Sequence, residues 1–292
     1  MIKKIYSSVL LVLFLNFLSF SSLAQEQVRE IAITIDDLPF VGTTHNKPGN
    51  LQREHDRFIK IMQSLIDHQV PATGFVIAGS IEQNQWALLQ QFQEAGFTIG
   101  NHTYSHANLN RSDAEKYMQD IAKADEILTP LFSQEKFFRY PYLAEGRGDT
   151  KQKVHDFLSS NQYKVAPVTI DSKDFQFNEQ LMSIHWRSRE KNLEPIKRRY
   201  LSYIWNQTLR AEKKANGKPV KQILLIHANL LNSFCMSDII QMYKDNGYKF
   251  ITLSEALTPS PSEFKSTIPS ISAANKQPIQ KEEIAQKAPL KP

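Results

Sequence analysis

The sequence predicts an α/β fold in which about seven parallel strands form a closed or nearly closed barrel. Short apolar runs alternate with longer segments of helical apolar spacing, the alternation repeats along most of the chain, and polar residues follow the apolar runs. An open doubly wound sheet is the alternative architecture. With 292 residues, the chain can bury a full hydrophobic core without metal or disulfide crosslinks, so a bound metal would serve chemistry.

Seven short apolar runs have the length and composition of strands. They span residues 31–36, 72–78, 97–102, 137–141, 163–171, 222–227 and 249–253. Segments with helical apolar spacing lie between them, at 51–69, 86–95, 112–131, 150–161, 190–214 and 237–246. Ser112 and Glu115 have the spacing of a capping box and mark the start of one helix. A strand followed by a helix, repeated this often, predicts that the strands are parallel.

The two ends of the chain are predicted to lie outside this fold. Residues 1–24 have a basic start, an apolar run and small residues before a cleavage point, as in a secretory signal peptide, with an uncleaved membrane anchor as the alternative. Residues 258–292 are rich in Pro, Ser, Lys and Gln without an apolar period, which predicts a disordered tail. We therefore expect residues 25–257 to form the folded domain of an exported protein, periplasmic or secreted, with no stable membrane span after cleavage.

Charge and cysteine content exclude some classes of protein. The net charge of the whole chain is +5, but residues 25–257 contain 28 Lys and Arg against 27 Asp and Glu. A nearly neutral domain argues against nucleic-acid binding, which needs many clustered cations. Cys235 is the single cysteine and has no partner for an internal disulfide. Its apolar surroundings in the sequence are typical of a buried side chain.

Five groups of polar residues come directly after predicted strands. They are Asp36 with Asp37, His102 with His106, Arg139, Asp171 with Asp174, and His227. In parallel α/β folds the carboxyl ends of the strands meet at one edge, where active sites gather. We therefore expect these five groups to lie close together.

The residue types in these groups indicate hydrolytic metal chemistry. His102 and His106 are four positions apart, so on a helical turn or a tight loop both imidazoles can face one ion. Adding a carboxylate from Asp36 or Asp37 gives the open ligand set of a catalytic site, and the second carboxylate becomes a candidate base. His227 is then the candidate proton donor. Taken singly, paired acids are also typical of turns, and lone histidines of surface or core positions.

The segments TIDDLP, NHTYSH, RYPY, DSKDF and LLIH follow one another in this order over residues 31–257. Together they resemble the five motifs of the NodB-type polysaccharide deacetylases, carbohydrate esterase family 4. The first, second and fifth motifs are specific in combination, whereas RYPY and DSKDF would mean little alone. The resemblance implies a distorted (β/α) barrel and metal-dependent removal of acetyl groups from an N-acetylated or O-acetylated sugar.

The resemblance also implies a role for each motif residue. Asp37, His102 and His106 would hold one divalent metal ion, with zinc as the first candidate and cobalt, nickel or manganese as alternatives. Asp36 would be the general base, and His227 would be the general acid.

Four further residues receive supporting roles from the same resemblance. Arg139 would pair with the general base, and Asp174 would orient the general acid. The backbone N–H of Tyr142 would help hold the oxyanion. Tyr142 and Phe175 would contact the substrate.

Three residues depart from the family pattern. Leu38 stands where the first motif usually has Gly, so the loop after the acids is expected to differ. Phe175 stands where the fourth motif usually has Trp, and Ala228 follows the last histidine where a polar residue is common. None of these changes removes a ligand, base or acid, so they bear on the substrate subclass.

From these residues we expect a deacetylase acting on N-acetylglucosamine-containing polysaccharide, such as peptidoglycan or a chitin-like oligomer. The alternatives are an acetyl esterase on O-acetylated polysaccharide, a hydrolase of small amides, and a catalytically silent glycan-binding envelope protein. The sequence specifies neither the polymer nor an oligomeric state.

Overall fold

The computed structural model describes residues 28–40, 48–82, 85–216, 218 and 220–259. The predicted signal peptide at 1–24 and all but two residues of the predicted tail at 258–292 lie outside this part of the chain. The elements below belong to the compact unit that ends at Thr258. Within the described residues, no helix is both long enough and apolar enough to cross a membrane.

The described residues form one curled sheet of parallel strands. Its strands are β1 (Arg29–Leu38), β2 (Ala72–Val76), β3 (Thr98–Asn101), β4 (Lys136–Phe138), β5 (Tyr163–Val165), β6 (Ile170–Asp171), β7 (Lys221–His227) and β8 (Tyr248–Phe250). Seven of them follow the order β5-β4-β3-β2-β1-β7-β6, while β8 pairs with the first residues of β1. The sheet therefore has the barrel-like form predicted from the sequence, with β5 and β6 as its open edges.

Helices connect the strands and cover the outside of the sheet. They are α1 (Pro48–Asp67), α2 (Trp86–Glu94), α3 (Ala114–Leu128), α4 (Gly148–Ser160), α5 (Asp174–Ser183), α6 (Leu193–Lys214), α7 (Leu230–Asp245) and α8 (Leu253–Leu257). The apolar faces of α1, α2, α6 and α7 share the largest cluster of buried side chains with the strands. Cys235 is a buried free thiol within this cluster, as predicted.

The central strand β1 is buried on both faces, which is typical of a parallel sheet. Ile33 and Ile35 pack in the main cluster with the helices, whereas Ala32 belongs to a smaller cluster on the inner side of the barrel. Because successive side chains of a strand alternate between faces, Thr34 and Asp36 follow Ala32 on the inner side. Thr34 and Asp36 thus place two polar side chains on the inner side of the barrel, near the carboxyl end of β1.

The register of the strands brings their carboxyl ends to one edge. Asp36 of β1 is paired with His227 of β7. On the other side, Val76 pairs with Asn101, and Asn101 pairs with Phe138. The residues that follow these positions therefore converge, as predicted for an active site of a parallel α/β fold.

The single strand predicted at 163–171 is wrong. The backbone N–H of Ala166 still donates to Phe138 in β4, but that of Thr169 donates to Ile223 in β7. The segment therefore forms β5 and β6 at opposite edges of the sheet and crosses the open side between them. A short apolar run does not distinguish one strand from two.

The predicted capping box at the start of α3 is also wrong. The carboxylate of Asp113 accepts hydrogen bonds from the backbone N–H groups of Glu115 and Lys116, so Asp113 is the N-cap. The Ser112 hydroxyl instead donates to the carbonyl of Asn108. Two acceptable capping residues are adjacent in the sequence, and the carboxylate takes the position.

Two helices beside the site differ from the prediction. Helix α5 was not predicted at all, and α7 begins at Leu230 rather than at residue 237. Only Asp174 and Leu181 are buried in α5, so its sequence carries little apolar periodicity. At the start of α7, the Asn229 side chain caps the helix by accepting from the backbone of Asn232.

Candidate active site

Arg139 is a fully buried cation below the carboxyl end of β1. Its Nη1 donates to Asp36 Oδ1 at 3.0 Å and to Thr34 Oγ1 at 2.7 Å. Its Nε and Nη2 donate to the carbonyls of Ala166 and Pro167 at 3.1 and 3.2 Å. Burial lowers the pKa of the guanidinium, and the Asp36 carboxylate opposes this effect. The pair is thus compensated by charge and by hydrogen bonds, as a buried ion pair must be.

Asp37, His102 and His106 converge beside this pair. Asp37 Oδ1 lies 3.1 Å from His106 Nε2 and 3.3 Å from His102 Nε2. Their three candidate ligand atoms lie within 4.8 Å of one another. Burial would raise the pKa of Asp37, but the two imidazoles hold it well below its usual range. Asp37 Oδ1 is buried and, among the described residues, accepts no hydrogen bond, which a cation at this point would remedy.

The surroundings of the two histidines orient their Nε2 atoms toward Asp37. His102 Nδ1 lies 2.8 Å from the carbonyl of Arg139, so Nδ1 carries the proton and Nε2 keeps its lone pair. The ring of His106 lies against the ring of Tyr142, with 4.5 Å between the centroids. Both histidines therefore fit the requirements of metal ligands.

Asn101 supports the loop that carries His102 and His106, and it was not predicted as a site residue. Its Oδ1 accepts from the backbone N–H of Thr103 at 2.7 Å, and its Nδ2 donates to the carbonyl of Ile121 and to the hydroxyl of Tyr163. The side chain is fully buried. The bond holds Thr103 in a left-handed conformation, with φ of 66°. Its position directly before His102 was the signal available in the sequence.

His227 and Asp174 form a second charged pair at the same edge. His227 Nδ1 lies 2.7 Å from Asp174 Oδ1, while Asp174 Oδ2 accepts from the backbone N–H of His227 at 2.7 Å. The same oxygen accepts from the side chains of Asn229 and Asn232 at 2.8 and 2.6 Å. The free Nε2 of His227 lies 3.8 Å from Asp37 Oδ2. The two asparagines were not predicted, because α7 begins earlier than its apolar spacing indicated.

These surroundings favour the protonated form of His227. Burial alone would lower the pKa of its imidazole, but the carboxylates of Asp174, Asp37 and Asp36 raise it from 6.5 to about 10. The fixed Asp174 contact also leaves Nε2 as the nitrogen that faces the site. His227 is therefore arranged to donate a proton from Nε2.

A cavity of about 490 Å³ opens where these groups meet. Its lining includes Asp36, Asp37, His102, His106, Tyr142, Leu143, Asp171, Lys173, Phe175, Asn178, Glu179, Leu225, His227 and Asn229. Tyr142 and Phe175, the predicted substrate contacts, are 65% and 49% exposed. The sequence analysis missed Asn178 and Glu179 because they lie on the unpredicted helix α5. All predicted site residues thus lie in the cavity lining or in direct contact with it.

The three departures from the family pattern are accommodated locally. Leu38 is fully buried, and a Cβ added to Gly74 would lie 2.2 Å from its Cδ1, so Leu38 fills the space that this glycine leaves. The left-handed residue of the turn is Asp37, with φ of 61°. Phe175 lines the cavity, and Ala228 is buried.

A family model described as polysaccharide deacetylase matches residues 24–166. This span contains the acid pair at 36 and 37, both histidines of the candidate metal site and the buried arginine. Over these residues, the chain is similar to the polysaccharide deacetylase family. The second charged pair of the site, Asp174 with His227, lies beyond the matched residues.

Curated relatives of this chain include bacterial and fungal enzymes. A peptidoglycan-N-acetylglucosamine deacetylase of Bacillus cereus is 28% identical over 148 residues, covering 50% of this chain and 46% of the relative. A chitin deacetylase of Colletotrichum lindemuthianum is 24% identical over 247 residues, covering 80% of this chain and 82% of the relative. The matched part of the chain covers between about a quarter and about half of the length of the first three curated relatives.

Solved structures confirm the fold. A mutant of a carbohydrate esterase family 4 pseudoenzyme from Bacillus anthracis superposes with a TM-score of 0.58 at 17% identity, covering 79% of this chain and 68% of that chain. A peptidoglycan N-acetylglucosamine deacetylase superposes with a TM-score of 0.53 at 22% identity, covering 78% of this chain and 87% of that chain. The chain therefore has the distorted barrel that the sequence predicted.

Proposed function

We propose that this protein hydrolyses the acetamide of N-acetylglucosamine units in a polysaccharide, either peptidoglycan or a chitin-like polymer. One observation carries the proposal: a buried oxygen of Asp37 that accepts no hydrogen bond from the described residues faces two imidazole Nε2 atoms, between the Asp36 carboxylate and the His227 imidazole. The match to the family model and the names of the peptidoglycan and chitin deacetylases among its relatives support it.

We propose that Asp37, His102 and His106 hold one divalent metal ion. Three nitrogen and oxygen ligands beside an open cavity fit a catalytic site, because structural sites usually have four protein ligands. When bound, the ion supplies Lewis acidity that polarises the acetyl carbonyl and lowers the pKa of water. Zinc is the first candidate, and cobalt, nickel or manganese accept the same donors.

Asp36 acts as the general base in this proposal. Arg139 holds Asp36 Oδ1 at 3.0 Å, while Oδ2 lies 3.9 Å from His102 Nε2 and thus faces the candidate metal site. The free oxygen accepts the proton of the attacking water as the water adds to the acetyl carbonyl. Arg139 fixes the orientation of the carboxylate and balances its charge.

His227 acts as the general acid. Its Nε2 faces the site, while Asp174 binds Nδ1 and positions the ring. When the C–N bond of the acetamide breaks, Nε2 gives its proton to the sugar nitrogen, and acetate and the free amine leave. The backbone N–H of Tyr142 contributes to oxyanion stabilisation, and the exposed rings of Tyr142 and Phe175 contact the sugar.

The chain organisation completes the proposal. Residues 1–24 direct export and are removed, residues 25–257 form the catalytic domain, and residues 258–292 form a tail. Mass spectrometry of protein recovered from the periplasm or medium is expected to find an N-terminus at Gln25. A chain that keeps residues 1–24 and stays with the membrane would contradict this part.

A catalytically silent protein is the second candidate. The observation that favours it is the solved neighbour described as a pseudoenzyme, because it has the same fold. In this chain, the base, the acid and all three candidate ligands are present and oriented toward one another. These contacts favour the enzyme.

Acetate release separates the candidates. The purified mature protein is incubated with N-acetylglucosamine oligomers, peptidoglycan and acetylated xylan, each with chelator and with added zinc. We expect release from an N-acetylglucosamine polymer that chelator abolishes and zinc restores. Release from acetylated xylan alone would indicate the esterase. No release from any polymer by protein with one equivalent of bound metal would contradict the proposal and favour the small-amide hydrolase or the silent protein.

A further inference from the structure

Charge is unevenly distributed along residues 25–257. The segment 185–218 carries ten Lys and Arg against three Glu, whereas the remainder carries 18 Lys and Arg against 24 Asp and Glu. Most of this segment is helix α6, which lies beyond the residues matched by the family model. The basic segment therefore adds a strongly cationic helix to an otherwise acidic domain.

An open groove of about 580 Å³ runs between α5 and this helix. It is lined by Phe177, Arg198, Arg199, Ser202, Tyr203 and Asn206. The five residues from α6 recur at three- and four-residue spacing, so they share one face of the helix. Phe177 of α5 packs against Tyr203, with 5.7 Å between the ring centroids. The groove thus combines guanidinium groups, aromatic rings, a hydroxyl and an amide.

The arginines of the groove are available for a ligand. Both Arg198 and Arg199 are exposed. Arg199 Nη2 donates to Gln180 Oε1 at 3.0 Å, while Arg198 has no hydrogen bond or ion pair with any described residue. By contrast, the neighbouring Lys197 is paired with Glu194 and Asp238. The guanidinium of Arg198, which faces the groove, therefore makes no hydrogen bond or ion pair within the described part of the fold.

The chemistry of the groove favours an anionic carbohydrate. A guanidinium binds a carboxylate through two parallel hydrogen bonds, and aromatic rings pack against the apolar faces of sugar rings. Ser202 and Asn206 add donors and acceptors for hydroxyl groups. A membrane surface fits less well, because the apolar face of α6, which includes Ile196 and Ile204, is buried in the protein core and cannot insert.

Helix α5 joins the groove to the catalytic cavity. Phe175, Asn178 and Glu179 line the cavity, whereas Phe177 lines the groove, so the two sites lie on different faces of one ten-residue helix. An α-helix with its side chains is only about 10 Å wide. A single polymer chain can therefore contact both sites.

We propose that this groove, continued along α6 by Arg210, binds carboxylate groups of the polysaccharide whose acetyl groups enter the cavity. The proposal rests on the proposed function for the nature of that polymer, and it selects a carboxylate-bearing glycan such as peptidoglycan over neutral chitin. The cationic helix would hold the insoluble polymer, and the cavity would carry out the chemistry.

The test compares two triple variants with equal loss of charge. The groove variant is Arg198→Gln, Arg199→Gln and Arg210→Gln; the control is Arg111→Gln, Lys116→Gln and Lys153→Gln, at exposed positions elsewhere on the domain. Binding to insoluble peptidoglycan, whose peptide stems carry carboxylates, and to chitin is measured by cosedimentation at increasing NaCl. Both variants and their parent also carry Asp36→Asn, so that turnover does not alter the polymer.

We expect the groove variant to bind peptidoglycan about tenfold more weakly than the parent, as for the loss of one or more charged hydrogen bonds. Its binding should also depend less on salt, and its binding to chitin should be unchanged. The control variant should match the parent on both polymers. The proposal would be overturned if the groove variant and the control variant bound peptidoglycan equally well. It would also be overturned if the groove variant lost as much affinity for chitin as for peptidoglycan.

Two further measurements separate other outcomes. Polyphosphate that displaces the parent from peptidoglycan better than polyglutamate, or phosphatidylglycerol vesicles that bind the parent but not the groove variant, would overturn the assignment to a carboxylate-bearing glycan. If the unfolding midpoint of the triple variant falls, Arg198→Gln alone repeats the binding test, because this side chain makes no hydrogen bond or ion pair with a described residue that the substitution could remove.

Acetate release from soluble N-acetylglucosamine oligomers is measured with Asp36 intact, and the groove substitutions are expected to leave it unchanged. If no protein releases acetate but the groove variant still loses peptidoglycan binding, the proposed function fails and the binding site stands. If acetate is released but peptidoglycan binding is unchanged, the groove proposal fails alone.

Discussion

Backbone strain is concentrated at the residues around the cavity. The non-glycine residues there with left-handed backbone are Asp37, Thr103, His106, Tyr142, Leu143 and Lys173. The other such residues of the described chain follow helices: Gln69, Gln162 and Asn216. Each such conformation costs on the order of 1–3 kcal/mol and persists only where its surroundings impose it. Here the strained residues are candidate ligands and residues at the rim of one cavity.

The base assignment predicts a selective loss of rate. Asp36→Asn keeps an acceptor for Arg139 but cannot take a proton, so acetate release should fall about 10²–10⁴-fold. Bound metal, measured by atomic absorption, should stay at the wild-type stoichiometry. Asp156→Asn, at an exposed position on α4, is the matched control and should be fully active. Wild-type turnover by Asp36→Asn would contradict the assignment.

The His227–Asp174 pair predicts a pH-dependent stability of the metal-free protein. The pKa of His227 is about 10 in the folded state against 6.5 ordinarily, so its contribution is complete below pH 6.5 and is lost as the pH rises through 10. At pH 6, the free energy of unfolding of the wild-type protein should therefore be roughly a few kcal/mol higher than that of His227→Gln. This difference should become smaller as the pH rises toward 10.

Urea unfolding of chelated protein at several pH values measures this difference. In an Asp174→Asn background, which removes the main carboxylate partner, the same His227→Gln substitution should show a weaker pH dependence. A difference that stays constant between pH 6 and 10 would argue against the charged pair.

At the scale of elements, Arg139 joins parts of the barrel that are distant in the chain. It follows β4, binds Asp36 and Thr34 of β1, and holds the carbonyls of Ala166 and Pro167, where the chain crosses between β5 and β6. Its guanidinium also lies over the ring of Phe75 in β2, at 4.5 Å from the centroid. The same side chain thus orients the Asp36 carboxylate and supports the open side of the barrel.

This position predicts a large effect of Arg139→Met on stability. The substitution leaves the buried Asp36 carboxylate unpaired, so the free energy of unfolding should fall by about 3–5 kcal/mol. Adding Asp36→Asn removes the unpaired charge and should recover part of that loss. Denaturant unfolding of the two single variants and the double variant gives the coupling energy. Strictly additive effects would show that the pair is not coupled.

At the scale of the whole molecule, the curled sheet brings two separate segments to one candidate metal site. Asp37 lies near the end of β1, whereas His102 and His106 follow β3, two strands away in the sheet order. A ligand that binds only the folded protein stabilises it by mass action. A metal ion held at this site would therefore link the stability of the whole barrel to this one edge.

Zinc is expected to raise the unfolding free energy of chelator-treated protein. At a free zinc concentration of 100 times Kd, the increase is about 2.7 kcal/mol, visible as a higher thermal midpoint. His106→Ala should remove most of this response, whereas His155→Ala, at an exposed histidine on α4, should keep it. An equal increase in the thermal midpoint of both variants would show that zinc binds at a different site.

The amino-acid sequence by itself determined the type of fold and the polar residues that form the candidate site. Apolar periodicity located most strands and helices, because burial of a strand or of one helix face depends on local spacing. The polar residues that follow those strands, from Asp36 to His227, identified the candidate site because parallel strands share one carboxyl edge. The motif order then allowed the family to be recognised.

Only the tertiary structure decided how these residues are held. The split of 163–171 into β5 and β6, the network of Asn101, and the two asparagines around Asp174 all depend on contacts between segments far apart in the chain. The groove between α5 and α6 likewise exists only because two helices pack side by side. Local spacing carries no information about such contacts, because they are chosen by packing and by the need to satisfy buried polar groups.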